Sequence, residues 1–263
     1  MSTRSRIFQV DAFTTRRFAG NPAAVMLLAA YPPDEVLHAL AAENNLSETA
    51  FLVPQGRDYR LRWFTPKVEV PLCGHATLAS AAVVMERLEP GREAVVFATA
   101  SGPLSVIRSG GGYVMDFPAR TLTPVEAPAG LAAALGVAPL EVVWDGGNYL
   151  ARLAAPEQVR ALAPDLAAVA VLDCGGVIVT AEEGGEHDFV SRYFAPAKGV
   201  PEDPVTGGAH CGLAPFWAAR LGRTEFRAFQ ASRRGGEIVC RLKGARVELE
   251  GACVFYLEGE AVF

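Results

Sequence analysis

The chain has five cysteines in 263 residues, and no two lie close together. An odd, scattered set excludes the disulfide framework of a small secreted domain and the paired thiols of a structural zinc site, and it fits a reducing cytoplasm. There are only four histidines, and His38, His187 and His210 lack metal-ligand spacing. Basic residues number 24 against 29 acidic ones, a net charge of −5, so the basic face that nucleic acid requires is not expected. No run of about 18 apolar residues occurs, and none is expected to span a membrane. The charged first six residues pass straight into an alternating strand without the apolar core of a signal peptide. There is no P-loop and no dinucleotide fingerprint in a βαβ setting. The glycine run at 109–112 lies between two predicted strands, which makes it a hairpin turn rather than a phosphate loop. The expectation is a cytoplasmic protein with no metal site and no nucleotide-cofactor motif.

What the chain does have is apolar material and internal repetition. Hydrophobic residues make up 51% and charged residues 20%, enough for a core and against disorder. Pro71-Leu72-Cys73-Gly74-His75-Ala76 has a twin in Pro204-Val205-Thr206-Gly207-Gly208-Ala209, and Arg62-Trp63-Phe64-Thr65-Pro66 answers to Arg192-Tyr193-Phe194-Ala195-Pro196. The offsets are 133 and 130 residues, about half the chain. The sequence therefore reads as one unit duplicated and fused, with a short insertion placed at Pro201-Glu202-Asp203. The boundaries expected are an N-terminal lobe at 1–118, a proline-bearing linker at 119–128 and a C-terminal lobe at 129–263, whose last strand pairs back with the first lobe. Matched strand-to-helix turns invite a site between the lobes.

Periodicity gives each lobe several short strands and one nearly all-apolar helix, at 74–88 and at 207–221. Pro215 conflicts with the second, because an interior proline kinks a helix or delays its start. The fold class expected is α+β, two pseudo-symmetric lobes, each a curved, mostly antiparallel, barrel-like sheet around a central helix. Gly74, Gly207 and Gly208 fall at helix starts. The unpaired N–H groups and positive dipole end there suit a carboxylate, and glycine lets it approach the backbone.

These motifs, in their order, resemble the phenazine-biosynthesis PhzF-like isomerase family, which shares its fold with diaminopimelate epimerase. The residues that carry the resemblance run from Asp11-Ala12-Phe13 and Gly20-Asn21-Pro22 through Asn45-Leu46-Ser47-Glu48-Thr49 and Phe64-Thr65-Pro66. They continue with Pro71-Leu72-Cys73-Gly74-His75 and Glu202-Asp203-Pro204-Val205-Thr206-Gly207-Gly208. The resemblance implies cofactor-independent proton movement on a small carboxylic acid, in a cleft, and commonly a homodimer. It implies Glu48 as the proton shuttle with His75 and Asp203 as catalytic partners. Asn21, Ser47, Cys73, Gly74, Thr206, Gly207 and Gly208 are then the expected substrate contacts. Gly208 stands where the phenazine enzyme has a serine, which removes one hydroxyl. Cys73 stands where diaminopimelate epimerase has the first of two opposed cysteines, but its twin here is Thr206.

Each residue also has a plainer reading. Glu48 in an apolar cleft suits acid/base work, yet a turn carboxylate can simply cap a backbone N–H. Asp203 reads as a site carboxylate, as the N-cap of the helix that follows, or as both. Cys73 beside a helix start is a candidate base or a small buried residue. Three readings of the whole follow: a Glu48 isomerase or epimerase, a racemase using Cys73, and a binding protein for small acids that does no chemistry.

Overall fold

The computed structural model describes residues 2–263 and divides into two units. One comprises Met1–Asp116 with Glu250–Phe263, the other Phe117–Leu249. Each is built on the same two steps. In the first unit the strand Asn21–Leu27 leads through the helix Asp34–Asn44 to the parallel strand Glu48–Gln55, with Ala23 opposite Glu48. The strand Asp58–Phe64 then leads through the helix Gly74–Val83 to the parallel strand Ala94–Thr99. In the second unit Tyr149–Arg152 and Val177–Glu182 form one parallel pair, and Phe189–Ala195 and Glu225–Gln230 the other, the latter joined through the helix Gly207–Leu221. Arg4–Ala12 pairs antiparallel with both Asn21–Leu27 and Cys253–Val262. The last strand thus completes the first unit.

Local chemistry sets the boundaries. Asp34 and Glu35 sit in the first turn of their helix, where the dipole favours acids. Asn45 ends it in the left-handed conformation (φ 47°), its N–H donating to Ala41 O. The strands Gly102–Ser109 and Gly112–Pro118 meet at the Gly110-Gly111 turn, with Ser109 paired to Gly112, as the sequence indicates. Residues 119–128 belong to the second unit. Thr123 and Pro124 pair with Trp144 and Val143, and Ala119 N–H donates to Ala245 O.

Both central helices are buried, and each departs from expectation. Every residue from His75 to Val83 is buried, against the strands of the first unit. Its two hydroxyls bond back to carbonyls one turn earlier, Thr77 to Cys73 O and Ser80 to Ala76 O. The expected helix at 74–88 widens at Val84–Leu88 into a π-helical turn, closed by Glu89 N–H to Val84 O at 2.7 Å. The Gly207–Leu221 helix runs unbroken through Pro215. Proline has no N–H for the carbonyl four residues back, that of Cys211, and Arg120 N–H takes this oxygen instead at 2.9 Å. A segment about 90 residues earlier in the chain thus satisfies the orphaned carbonyl, which is why local sequence could not show the helix surviving.

The insertion also moves. Arg62 grips Glu69 with two hydrogen bonds of 2.7 Å, and Arg192 grips Glu202 in the same fork at 2.7 and 3.0 Å. Glu202 is therefore the counterpart of Glu69, not part of an insertion. The three extra residues fall earlier, around the 3-10 turn Pro196–Lys198 and the left-handed Gly199. The two units have separate cores. In the first, Met26, Leu37, Phe51 and Phe64 pack together. In the second, Leu131, Leu153, Val179 and Phe194 do so. Among the described residues no helix is long and apolar enough to cross a membrane.

Candidate active site

Three elements of the first unit converge on one imidazole. His75 lies in the first turn of the Gly74–Val83 helix, 4% exposed. Glu48 is the first residue of its strand, and Asn21 heads the neighbouring parallel strand. The Oε2 of Glu48 stands 3.2 Å from Nε2 of His75, close but poorly aligned for a hydrogen bond. On the other side of the ring, Nδ1 faces Asn21 Nδ2 at 3.2 Å and Cys73 Sγ at 3.5 Å. The Glu48 side chain is 16% exposed against 5% for His75, and the Oε2 that faces the ring is itself buried.

The electrostatics follow from this enclosure. Burial pushes the Cys73 thiol above its ordinary range, and the nearby Glu48 carboxylate adds to the rise. Burial alone would lower the His75 pKa. Cys73 and Glu48 outweigh it and hold His75 well above its usual value. Glu48, Cys73 and His75 also bring one ligand atom each to within 4.8 Å of one another, a set that could hold a metal ion. The thiol lies against Nδ1 and the carboxylate against Nε2, opposite nitrogens of the ring.

The remaining expected residues are placed as follows. Ser47 is half-buried in the turn before Glu48. Asn21, expected as a substrate contact, is fully buried. Asp203, Thr206, Gly207 and Gly208 belong to the second unit. There Thr206, not Asp203, is the N-cap residue, and its hydroxyl donates to Asp203 Oδ2 at 2.5 Å. Gly207 is buried and Gly208 exposed. A side chain at Gly208 would meet nothing within 4 Å. We therefore expect Gly208→Ser to fold as well as wild type, or to gain about 0.5 kcal/mol from the better helix former. Thermal melts check this, and a loss above about 1 kcal/mol would contradict the open space seen at this position.

Sequence reading missed Gln230. Fully buried, it accepts from Thr206 N–H at 2.8 Å and donates to Asp203 O at 2.7 Å. It straps the Asp203–Thr206 turn from the end of the strand Glu225–Gln230. The signal was present: Phe226, Ala228 and Gln230 share the buried phase of this strand, and a glutamine there needs a polar partner. Gln230→Ala removes the bonds to Thr206 N–H and Asp203 O. It should cost about 2 kcal/mol in urea unfolding at pH 7, whereas a cost near zero would mean that water replaces the strap.

An isomerase of Pseudomonas aeruginosa, named as uncharacterized, is 52% identical over 253 residues, covering 96% of this chain and 97% of that protein. The crystal structure of a PhzF-family phenazine biosynthesis protein from Enterococcus faecalis superposes with a TM-score of 0.95 at 42% identity, over 98% of this chain and 99% of that one. A hydroxyproline epimerase from Agrobacterium vitis shares the fold at a TM-score of 0.66 and 11% identity, over 99% of this chain and 93% of that one. The family model of phenazine biosynthesis-like proteins, PhzC-PhzF, matches residues 10–262. That span contains Asn21, Glu48, Cys73, His75 and both helix starts, and by it the chain belongs to the phenazine biosynthesis-like family.

Proposed function

We propose that this protein is an isomerase or epimerase that moves a proton on a small carboxylic acid without a cofactor, with Glu48 as acid and base. The observation that carries the reading is the pairing of a partly exposed glutamate with a buried imidazole, Glu48 with His75 at 3.2 Å. The carboxylate takes a proton from a carbon next to an electron-withdrawing group, as that C–H bond gives its electron pair to the adjoining π system. The protonated Glu48 then returns the proton to another carbon or to the other face. No electrons are lost or gained overall, so the step calls for no redox partner. His75 faces the carboxylate through Nε2 and steadies its charge. Asp203, held by Thr206, is the second carboxylate of the reading. The isomerase name borne by the relative at 52% identity supports the reaction class.

The alternative base, Cys73, is less well supported. It is buried, and its thiol is pushed up rather than down, whereas a thiol base needs its thiolate. Its twin position holds a threonine hydroxyl already given to Asp203.

The test is hydrogen exchange. Wild-type protein is incubated in deuterated water with a panel of small carboxylic and amino acids, and carbon-bound deuterium is read by mass spectrometry. Uptake into one compound or one chemical class without added cofactor is expected. No uptake anywhere in a broad panel would favour a non-catalytic binder of small acids.

A further inference from the structure

We propose that Asn21 is a positioning residue. Its side-chain amide donates to Nδ1 of His75 and so keeps the proton of the neutral ring on Nε2, facing Glu48. The inference rests on the proton-transfer reading for its catalytic meaning, but its structural content stands apart from it.

The argument starts from what each neighbour of Nδ1 can offer. The amide nitrogen of asparagine donates and does not accept, and Asn21 Nδ2 lies 3.2 Å from Nδ1. A protonated thiol also approaches as a donor, and Cys73 Sγ lies 3.5 Å from the same nitrogen. With two donors on its Nδ1 side, the ring accepts there once it is neutral, at pH above its raised pKa. The remaining ring proton then sits on Nε2, 3.2 Å from Glu48 Oε2. A ring proton at that place attracts the Glu48 carboxylate when it is charged, at ion-pair distance rather than through an aligned hydrogen bond, and so favours the form that takes a proton from substrate. The opposite ring form would turn a bare nitrogen lone pair toward the carboxylate.

The backbone around Asn21 is built to hold it. Asn21 is fully buried and opposes Ala12 across the first two strands. The loop that delivers it carries two phenylalanines in the left-handed region, Phe13 at φ 61° and Phe18 at φ 69°, a conformation costly for bulky residues. The Asp11 carboxylate pins that loop by accepting Phe18 N–H at 2.9 Å. Gly20, at φ 65°, is the last link. A side chain there would fall 2.2 Å from Ala12 O, so only glycine lets the chain turn into Asn21. Strain of this kind, gathered before one buried polar side chain, is explained by the place that side chain must take.

The reverse amide orientation would set the Asn21 oxygen on Nδ1 and demand a proton there, and nitrogen NMR separates the two. Histidine-labelled protein is titrated upward in pH, with the His75 signals assigned by their loss in His75→Gln. In the neutral ring of wild type, Nε2 is expected to be protonated and Nδ1 bare. Asn21→Asp, an isosteric acceptor, should move the proton to Nδ1 and raise the His75 pKa. Asn21→Leu, which only removes the donor, should leave a mixture of the two ring forms. In the exchange assay both variants should lose about 10²-fold in kcat with little change in KM. Three results would overturn the proposal: Nδ1–H in the wild-type neutral ring, a ring protonated on both nitrogens across the whole stable pH range, or a ring form unmoved in Asn21→Asp. The wild-type spectrum decides even if a variant fails to fold. Nε2–H in a protein that exchanges no substrate hydrogen would leave the positioning intact and sink the proton-transfer reading.

Discussion

Lowering the pH from 7 to 4 should remove about 3 kcal/mol of folding stability through His210 alone, roughly 2 kcal/mol of it by pH 5. The residue is fully buried in the first turn of the Gly207–Leu221 helix, with its ring stacked on Phe189 at 6.1 Å. Nδ1 donates to Thr206 O at 2.8 Å, and Nε2 has no hydrogen-bond partner among the described residues. A charge on this ring would lie out of water and against the positive end of a helix. Burial pushes the pKa down from 6.5 to about 4. The sign follows from proton counting: between those values the unfolded chain binds a proton that the folded one refuses, so stability falls as pH falls. His75 acts in the opposite sense. Its folded pKa is raised, so its contribution is fully present below 6.5 and fades as pH rises through the higher value. It adds no acid lability. His210→Asn keeps a donor for Thr206 O and cannot titrate. Urea unfolding of wild type and His210→Asn at pH 7, 5 and 4 should show the wild type losing about 3 kcal/mol more than the variant. Parallel losses would show that His210 is protonated in the folded protein or that the helix start opens in acid.

The same helix marks the limit of what could be read from the chain. Its start was legible because Pro204-Val205-Thr206-Gly207 repeats Pro71-Leu72-Cys73-Gly74, and its apolar run marked it as buried. Its passage through Pro215 was not, because the compensating donor, Arg120 N–H, lies outside any local window. Glu48, Cys73 and His75 were each visible in a motif. What the sequence could not give was their arrangement around one ring, which depends on the parallel register of Ala23 with Glu48. Long-range register also explains the misplaced insertion. Matching letters put it beside Asp203, while the Arg192–Glu202 fork, twin of Arg62–Glu69, shows that Glu202 has a counterpart. Gln230 escaped because its place in the buried phase of the strand calls for a polar partner without naming one.

Glu48→Gln should lower the rate of hydrogen exchange on the substrate by about 10²- to 10⁴-fold, the span that a general acid/base contributes. The substitution keeps the volume and a hydrogen-bonding end, so folding and binding should survive, and the loss should fall on kcat. Cys73→Ser keeps a small polar atom beside His75 and should stay within about tenfold of wild type, because a thiol held above its ordinary pKa supplies little thiolate near neutrality. The two-cysteine-like route reverses this order, since there the thiol carries the proton and the carboxylate is scenery. The measurement that decides is carbon-bound deuterium uptake by the exchanging substrate in deuterated water, taken side by side for wild type, Glu48→Gln and Cys73→Ser. The account expects uptake in wild type and Cys73→Ser and its near absence in Glu48→Gln, while uptake that survives in Glu48→Gln and vanishes in Cys73→Ser would contradict it.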